Sequence, residues 1–307
     1  MEKFAPIFVI LAAMLWGVDG IVLRPSLYNL PVPLVVMIES SIVAIILTPF
    51  FKSHFKDLRR LSVKDWLAFA GVAIFGGAIG TMAITRALFY VNYVNLSIVM
   101  LIQKLQPAFA IMLAAVLLRE RLTRWFAFWA TLAIIGAYLM TFGLHFPNWH
   151  SGDKTLEAVL FALVASVSFG LSTVLSKRAL KNVSFELGTY IRFLISAVFM
   201  ILLVFSLGEF NAIHQVSRKQ GFIFLIIAFS TGGPAIFLYY YGLKHISASV
   251  ATICELAFPL TAVVLEYLVH GNLLSFIQWV GVVILLVSMI QVSRMKILAK
   301  NGGKNNG

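Results

Sequence analysis

An all-α membrane protein, with about ten transmembrane helices arranged as two inverted five-helix repeats, is the fold class that three features of the sequence predict. Of 307 residues, 61% are hydrophobic and 12% charged, far from the roughly 45–50% apolar content of a soluble domain. Apolar runs recur along the whole chain, each able as a helix to cross a hydrocarbon core of about 30 Å. The second half of the chain also matches the first at an offset of 152 to 153 residues.

The predicted spans cover roughly 5–23, 32–51, 66–86, 96–118, 125–144, 156–176, 187–207, 221–242, 248–270 and 276–293. They group as a first repeat (1–150), a second repeat (151–295) and a polar tail (296–307) whose composition predicts disorder. Lys3 followed by an apolar stretch imitates a secretory leader. Asp19 interrupts it and no small-x-small cleavage site follows, so it is read as a retained first helix.

The net charge of +12 does not point to nucleic acid, because the cations lie in short loops and not in one stripe interleaved with aromatics. Their distribution orients the chain instead, since Lys and Arg favour loops that stay in the cytoplasm. With the N-terminus inside, 17 of the 24 cations fall on cytoplasmic segments and five outside (Arg24, Arg86, Lys154, Arg218 and Lys219), leaving Lys104 and Arg192 within spans. Both termini are therefore expected in the cytoplasm of a cell-membrane protein. The single cysteine, Cys254, excludes an internal disulfide and a CxxC metal site. No GxxxxGK[ST], HExxH, GxSxG or EF-hand loop occurs, so no enzyme, no cofactor and no ATP-driven pump is expected.

Four pairs carry the self-similarity at offset 153: Ala12/Ala165, Trp16/Phe169, Gly17/Gly170 and Arg24/Lys177. At offset 152, Ser97-x5-Gln103-x3-Pro107 lies over Ser249-x5-Glu255-x3-Pro259. An odd number of spans per half inverts the second relative to the first. Inverted repeats with interrupted helices and a midplane site are the architecture of many alternating-access carriers.

At these residues the chain resembles the EamA-type branch of the drug/metabolite transporter superfamily. The likeness rests on Trp16-Gly17, on FYVNYVNLSIVMLIQKLQPAFAIMLAAVLLRERLT and on YYYGLKHISASVATICELAFPLTAVVLEYLVHGNLLS. The resemblance implies ten helices in two inverted repeats, and a Pro followed thirteen residues later by a Glu in the fourth and ninth. Pro107 and Glu120 match that spacing, whereas Asn272 stands where the second Glu is expected. Arg192 keeps a second-helix position that is often basic, and Glu39 departs from it. A metabolite carrier is implied, exporters of amino acids among them, without the cargo being named.

An ionisable group inside hydrocarbon costs about 2.5 kcal/mol or more and is a functional candidate by default. The intramembrane polar set is Asp19, Glu39, Gln103, Lys104, Arg192, Glu255 and Glu266. Repeat symmetry lays Glu39 on Arg192 and Gln103-Lys104 on Glu255-Leu256, which suggests two opposite pairs, Glu39 with Lys104 and Arg192 with Glu255. Such pairs could flank a cavity or only fix helix register. Asp19 could be hydrated or bond Arg24, and Glu266 with His270 could form a gate or an interfacial bond. Pro107 and Pro259 should kink the fourth and ninth helices beside Gln103 and Glu255, and Gly232-Gly233-Pro234 should interrupt the eighth. Gly76 and Gly80 form a small-xxx-small packing face. Arg119-Glu120-Arg121 ends the fourth helix with cations suited to lipid phosphates.

The expected substrate-binding set is Trp16, Gln103, Lys104, Arg192, Tyr239 and Glu255, and the ion-coupling set is Asp19, Glu39, Glu255 and Glu266. Together they predict a secondary transporter that exports a small amphipathic or zwitterionic metabolite such as an amino acid, with the proton as candidate coupling ion. Its partners are that small molecule and the lipid bilayer; oligomeric state is not legible. The rival of another class is a lipid-handling flippase or a non-transporting membrane enzyme.

Overall fold

The computed structural model describes residues 4–51, 58, 61–90, 99, 102–145, 154–270 and 274–295. The expected tail (296–307) and Asn272 lie outside them. Among the described residues, nine helical stretches are long and apolar enough to cross a membrane. They are α1 (Ala5–Leu27), α2 (Val32–Phe51), α3 (Val63–Ala87), α5 (Arg124–Phe142), α6 (Leu156–Ala179), α7 (Phe185–Ser206), α8 (Arg218–His245), α9 (Ala248–Cys254 continued by Ala257–His270) and α10 (Phe276–Ser293). A shorter apolar helix, α4 (Gln106–Leu117), stands at the expected fourth span.

Short polar signals start these helices. Ser62, Ser217 and Ser275 form capping boxes with Asp65, Gln220 and Gln278, and Thr123, Ser184 and Ser247 each cap with a hydroxyl. Each such cap is worth about 0.5–2 kcal/mol, because the first N–H groups of a helix have no partner in the helix itself. The caps also display the repeat: Ser62 and Ser217 begin the third and eighth helices, Thr123 and Ser275 the fifth and tenth.

Two further symmetric features shape the centre. Both α3 and α8 pass through a π segment, Val72–Ile79 and Ala228–Gly232, the second ending at the expected Gly232-Gly233-Pro234 interruption. The fourth and ninth helices both break just ahead of their prolines. Leu105 N–H closes on Ile102 O at 3.0 Å and Leu256 N–H on Ile253 O at 3.1 Å, tight three-residue turns in place of α-helical bonds. A proline ring clashes with the carbonyl four residues before it, here Gln103 and Glu255, and lacks the N–H that would bond it. Ser166 Oγ adds a second donor to the Ile102 carbonyl at 3.0 Å.

The largest interfaces join helices of opposite repeats: α5 with α10, α2 with α7, α1 with α8, and α3 with α6. The first helix of each repeat also packs on the broken helix of the other, α1 on α9 and α6 on α4. Glycine permits that approach at the two positions superposed in the sequence. A Cβ at Gly17 would lie 2.8 Å from Thr261 Cβ and 3.0 Å from Phe258 O, and one at Gly170 would lie 2.9 Å from Ala110 N. Gly170→Val should therefore cost about 1–3 kcal/mol by overpacking. Gly77→Val, where a Cβ meets nothing within 4 Å, should leave the thermal midpoint and monodisperse yield unchanged in a fluorescence-detected chromatography assay.

Candidate functional site

The break in α9 carries Glu255, and three helices converge on its carboxylate. Tyr239 of α8 donates its hydroxyl to Oε1 at 2.8 Å, Thr173 of α6 donates to the same oxygen at 3.2 Å, and Gln106 at the start of α4 donates from Nε2 to Oε2 at 3.4 Å. Tyr239 is only 3% exposed, and Trp16 of α1 lies against its ring with centroids 5.2 Å apart. Glu255, Gln106 and Trp16 are themselves only half-buried. A carboxylate held by neutral donors, beside a large aromatic ring and at an interrupted helix, can accept a donor from a planar or cationic solute.

The matching break in α4 carries Gln103 and Lys104, both half-buried. Among the described residues no acidic side chain lies within ion-pairing distance of Lys104. Arg192 of α7 sits over the Tyr240 ring, 5.4 Å from its centroid and 3.5 Å from its hydroxyl, and Tyr240 donates to Ser176 Oγ at 3.2 Å.

The two expected ion pairs do not form. Glu39 is taken by Arg24, whose Nη2 lies 3.4 Å from it while bonding Asp19 Oδ2 at 2.6 Å. Arg24 stands only five residues beyond Asp19 and reaches Glu39 where Lys104 does not. Arg192 makes no contact ion pair with Glu255: it lies over Tyr240, and the carboxylate accepts from two hydroxyls and the Gln106 amide instead. Of the expected set, the structure thus joins Trp16, Tyr239 and Glu255, places Gln103 and Lys104 at the partner break, and separates Asp19 and Glu39 into their own cluster. Glu266 and His270 lie on α9, but their side chains fall outside the described residues.

Two participants escape a reading of the sequence, Thr173 and Gln106, and for Glu120 the sequence shows its spacing from Pro107 but not its partner. Glu120 leaves the end of α4 and crosses to the other repeat, where it accepts from Ala248 N at 2.7 Å, Ser249 N at 3.1 Å and Ser249 Oγ at 2.5 Å. It thereby caps the start of α9. Arg119 adopts φ 56°, a left-handed turn rare for a side-chain-bearing residue, which swings the chain into reach. On the same face Lys177 donates to Leu243 O at 2.8 Å and Lys244 O at 2.9 Å, and Lys244 donates to Val183 O.

Inverted repeats with paired helix breaks around a half-buried polar centre define a secondary-carrier architecture. The profile of the EamA-like transporter family matches residues 3–142 and again 156–294, and the chain belongs to that family. It is 44% identical over 290 residues, 94% of its length and 97% of the relative's, to the riboflavin transporter ImpX of Fusobacterium nucleatum. It is 29% identical over 176 residues, 57% of this chain and 56% of the relative, to the uncharacterized transporter YwfM of Bacillus subtilis. A solved crystal structure at 16% identity superposes on 94% of both chains with a TM-score of 0.71, a likeness of fold. The chain is a membrane-embedded transporter of a small metabolite.

Proposed function

We propose that this protein carries riboflavin, or a close flavin, across the cell membrane by alternating access around the Glu255 centre. The observation that carries the reading is the Trp16–Tyr239–Glu255 arrangement in a chain so similar to a riboflavin transporter. A flavin is a planar tricycle with an imide edge and a polyol tail. Trp16 offers the tricycle a stacking face, Glu255 an acceptor for the imide N–H, and Gln103, Lys104 and Arg192 donors for carbonyl and hydroxyl oxygens. The excess of cations on the face that holds the N-terminus supports a cytoplasmic location for both termini.

A zwitterionic amino acid, moved outward, is the second reading, favoured by the opposite charges of Glu255 and of Lys104, which has no acidic partner among the described residues. The purified chain in proteoliposomes should exchange riboflavin saturably, read by its own fluorescence, and prefer it over flavin mononucleotide and over a radiolabelled amino-acid panel. Exchange of an amino acid with none of riboflavin would replace the first reading by the second.

A further inference from the structure

We propose that Asp19, Arg24 and Glu39 form a binding site for one proton, open to the face opposite the N-terminus, whose loading sets the position of Trp16. Two carboxylates here share one guanidinium. Arg24 donates to Asp19 Oδ2 from Nε at 2.8 Å and from Nη2 at 2.6 Å, and its Nη2 lies 3.4 Å from Glu39. The trio therefore holds one negative charge in excess within an apolar setting, a costly state unless something neutralises it. Asp19 is 5% exposed, and among the described residues its Oδ1 has no hydrogen-bond partner, while Glu39 Oε1 has only the long ion-pair contact with Arg24 Nη2 at 3.4 Å. A proton on either carboxylate removes the excess charge.

Among the described residues, no other charge takes that role. Among the described residues, the ion pairs of Arg24 are with Asp19 and Glu39 alone. Arg192 on α7, Arg86 on α3, Arg218 and Lys219 on α8, and Glu209 and His214 in the segment after α7 belong to elements packed nearby, but among the described residues none of them lies within ion-pairing distance of Asp19 or Glu39. From α9 it is Phe258 that meets this stretch, at Gly20. The Arg24 side chain, 34% exposed, is the member of the trio that reaches the protein surface.

The fold does not need the trio. At offset 153 its counterparts in the second repeat are Ser172 for Asp19 and Arg192 for Glu39, and α6 runs unbroken where α1 does not. The π segment Asp19–Leu23 begins three residues after Trp16, and Arg24 clasps Asp19 across it. Single π turns store a register shift that can relax and often mark functional sites. Neutralising Asp19 or Glu39 loosens the clasp and frees α1 to rewind, turning Trp16 relative to Tyr239. The step balances simply: a proton from the outer water converts a carboxylate to a carboxylic acid, and the same proton leaves when the site faces the other side.

Two measurements on the full chain in proteoliposomes test this, the first resting on the flavin reading and the second independent of it. With an acid-outside step of one unit and the membrane potential clamped, wild type should accumulate riboflavin up to about tenfold, the limit for one proton per solute. Glu39→Gln and Asp19→Asn should lose that accumulation while still exchanging riboflavin at symmetric pH. In a chain keeping Trp16 as its one tryptophan, emission should follow a one-proton pH titration that Glu39→Gln and Asp19→Asn abolish. Accumulation driven by sodium instead of protons, equal loss of exchange and accumulation in folded variants, or a titration unchanged by both substitutions would overturn the proposal. Absence of riboflavin exchange in wild type would count against the flavin reading alone, and the Trp16 titration would then decide the proton site.

Discussion

Glu255→Gln is expected to lower the initial rate of riboflavin exchange by at least about tenfold while leaving the protein folded. Hydrogen bonds to an ionised group contribute about 1.5–3 kcal/mol each, and the carboxylate accepts three. Glutamine keeps the shape, and one oxygen can still accept from Tyr239 and Thr173. Its amide nitrogen then faces the Gln106 amide, donor against donor, until one of the two flips. The bundle therefore survives with the charge gone, and any lost flux reports the charge itself. A variant exchanging at the wild-type rate would remove Glu255 from the substrate's path. Glu255→Ala should also lower the thermal midpoint, because it strands Tyr239, Thr173 and Gln106 together.

The second large effect is expected at Glu120. Its removal leaves two backbone N–H groups and a hydroxyl without their acceptor at a site where Glu120 is 7% exposed. Loss of a helix cap costs about 0.5–2 kcal/mol and buried unpaired donors add further, so Glu120→Ala should cost about 2–4 kcal/mol. The strained turn at Arg119 also loses what holds it. Glu120→Gln retains one acceptor and should fall between the two, and Ser249→Ala should cost least, since both N–H bonds persist. Thermal midpoints of the detergent-solubilised variants give the order directly. Equal midpoints for Glu120→Ala and wild type would mean that the cross-repeat cap carries no weight.

Much of the fold was legible because hydrocarbon imposes a strict rule. Every backbone group must be satisfied within a helix, so length and apolarity alone locate the spans. The offset that lays Gly17 on Gly170 and Pro107 on Pro259 was equally plain, and in the structure those residues make the equivalent contacts and breaks. The capping boxes were available as Ser62-x-x-Asp65, Ser217-x-x-Gln220 and Ser275-x-x-Gln278, and would have sharpened three helix starts. The site was harder. Repeat symmetry alone pairs the charges, but a guanidinium reaches several ångströms, and Arg24 lies at a helix end that the predicted spans place outside the membrane. Thr173 and Gln106 carry no charge and no motif. Glu120 was visible in its spacing from Pro107, yet its target lies 128 residues on, across the repeat boundary.

The interleaving of the two repeats bears on how such a chain is made. Helices α1 to α5 find their extensive neighbours among α6 to α10, so no stable half can be completed and set aside. At roughly 5–20 residues per second of synthesis, the earlier helices wait on the order of ten seconds in lipid before their counterparts leave the ribosome. During that interval their small-residue faces and the carboxylates of Asp19, Glu39 and Glu120 depend on lipid, on translocon-associated chaperones, or on one another. Biogenesis, more than the finished bundle, is thus where this architecture is most vulnerable.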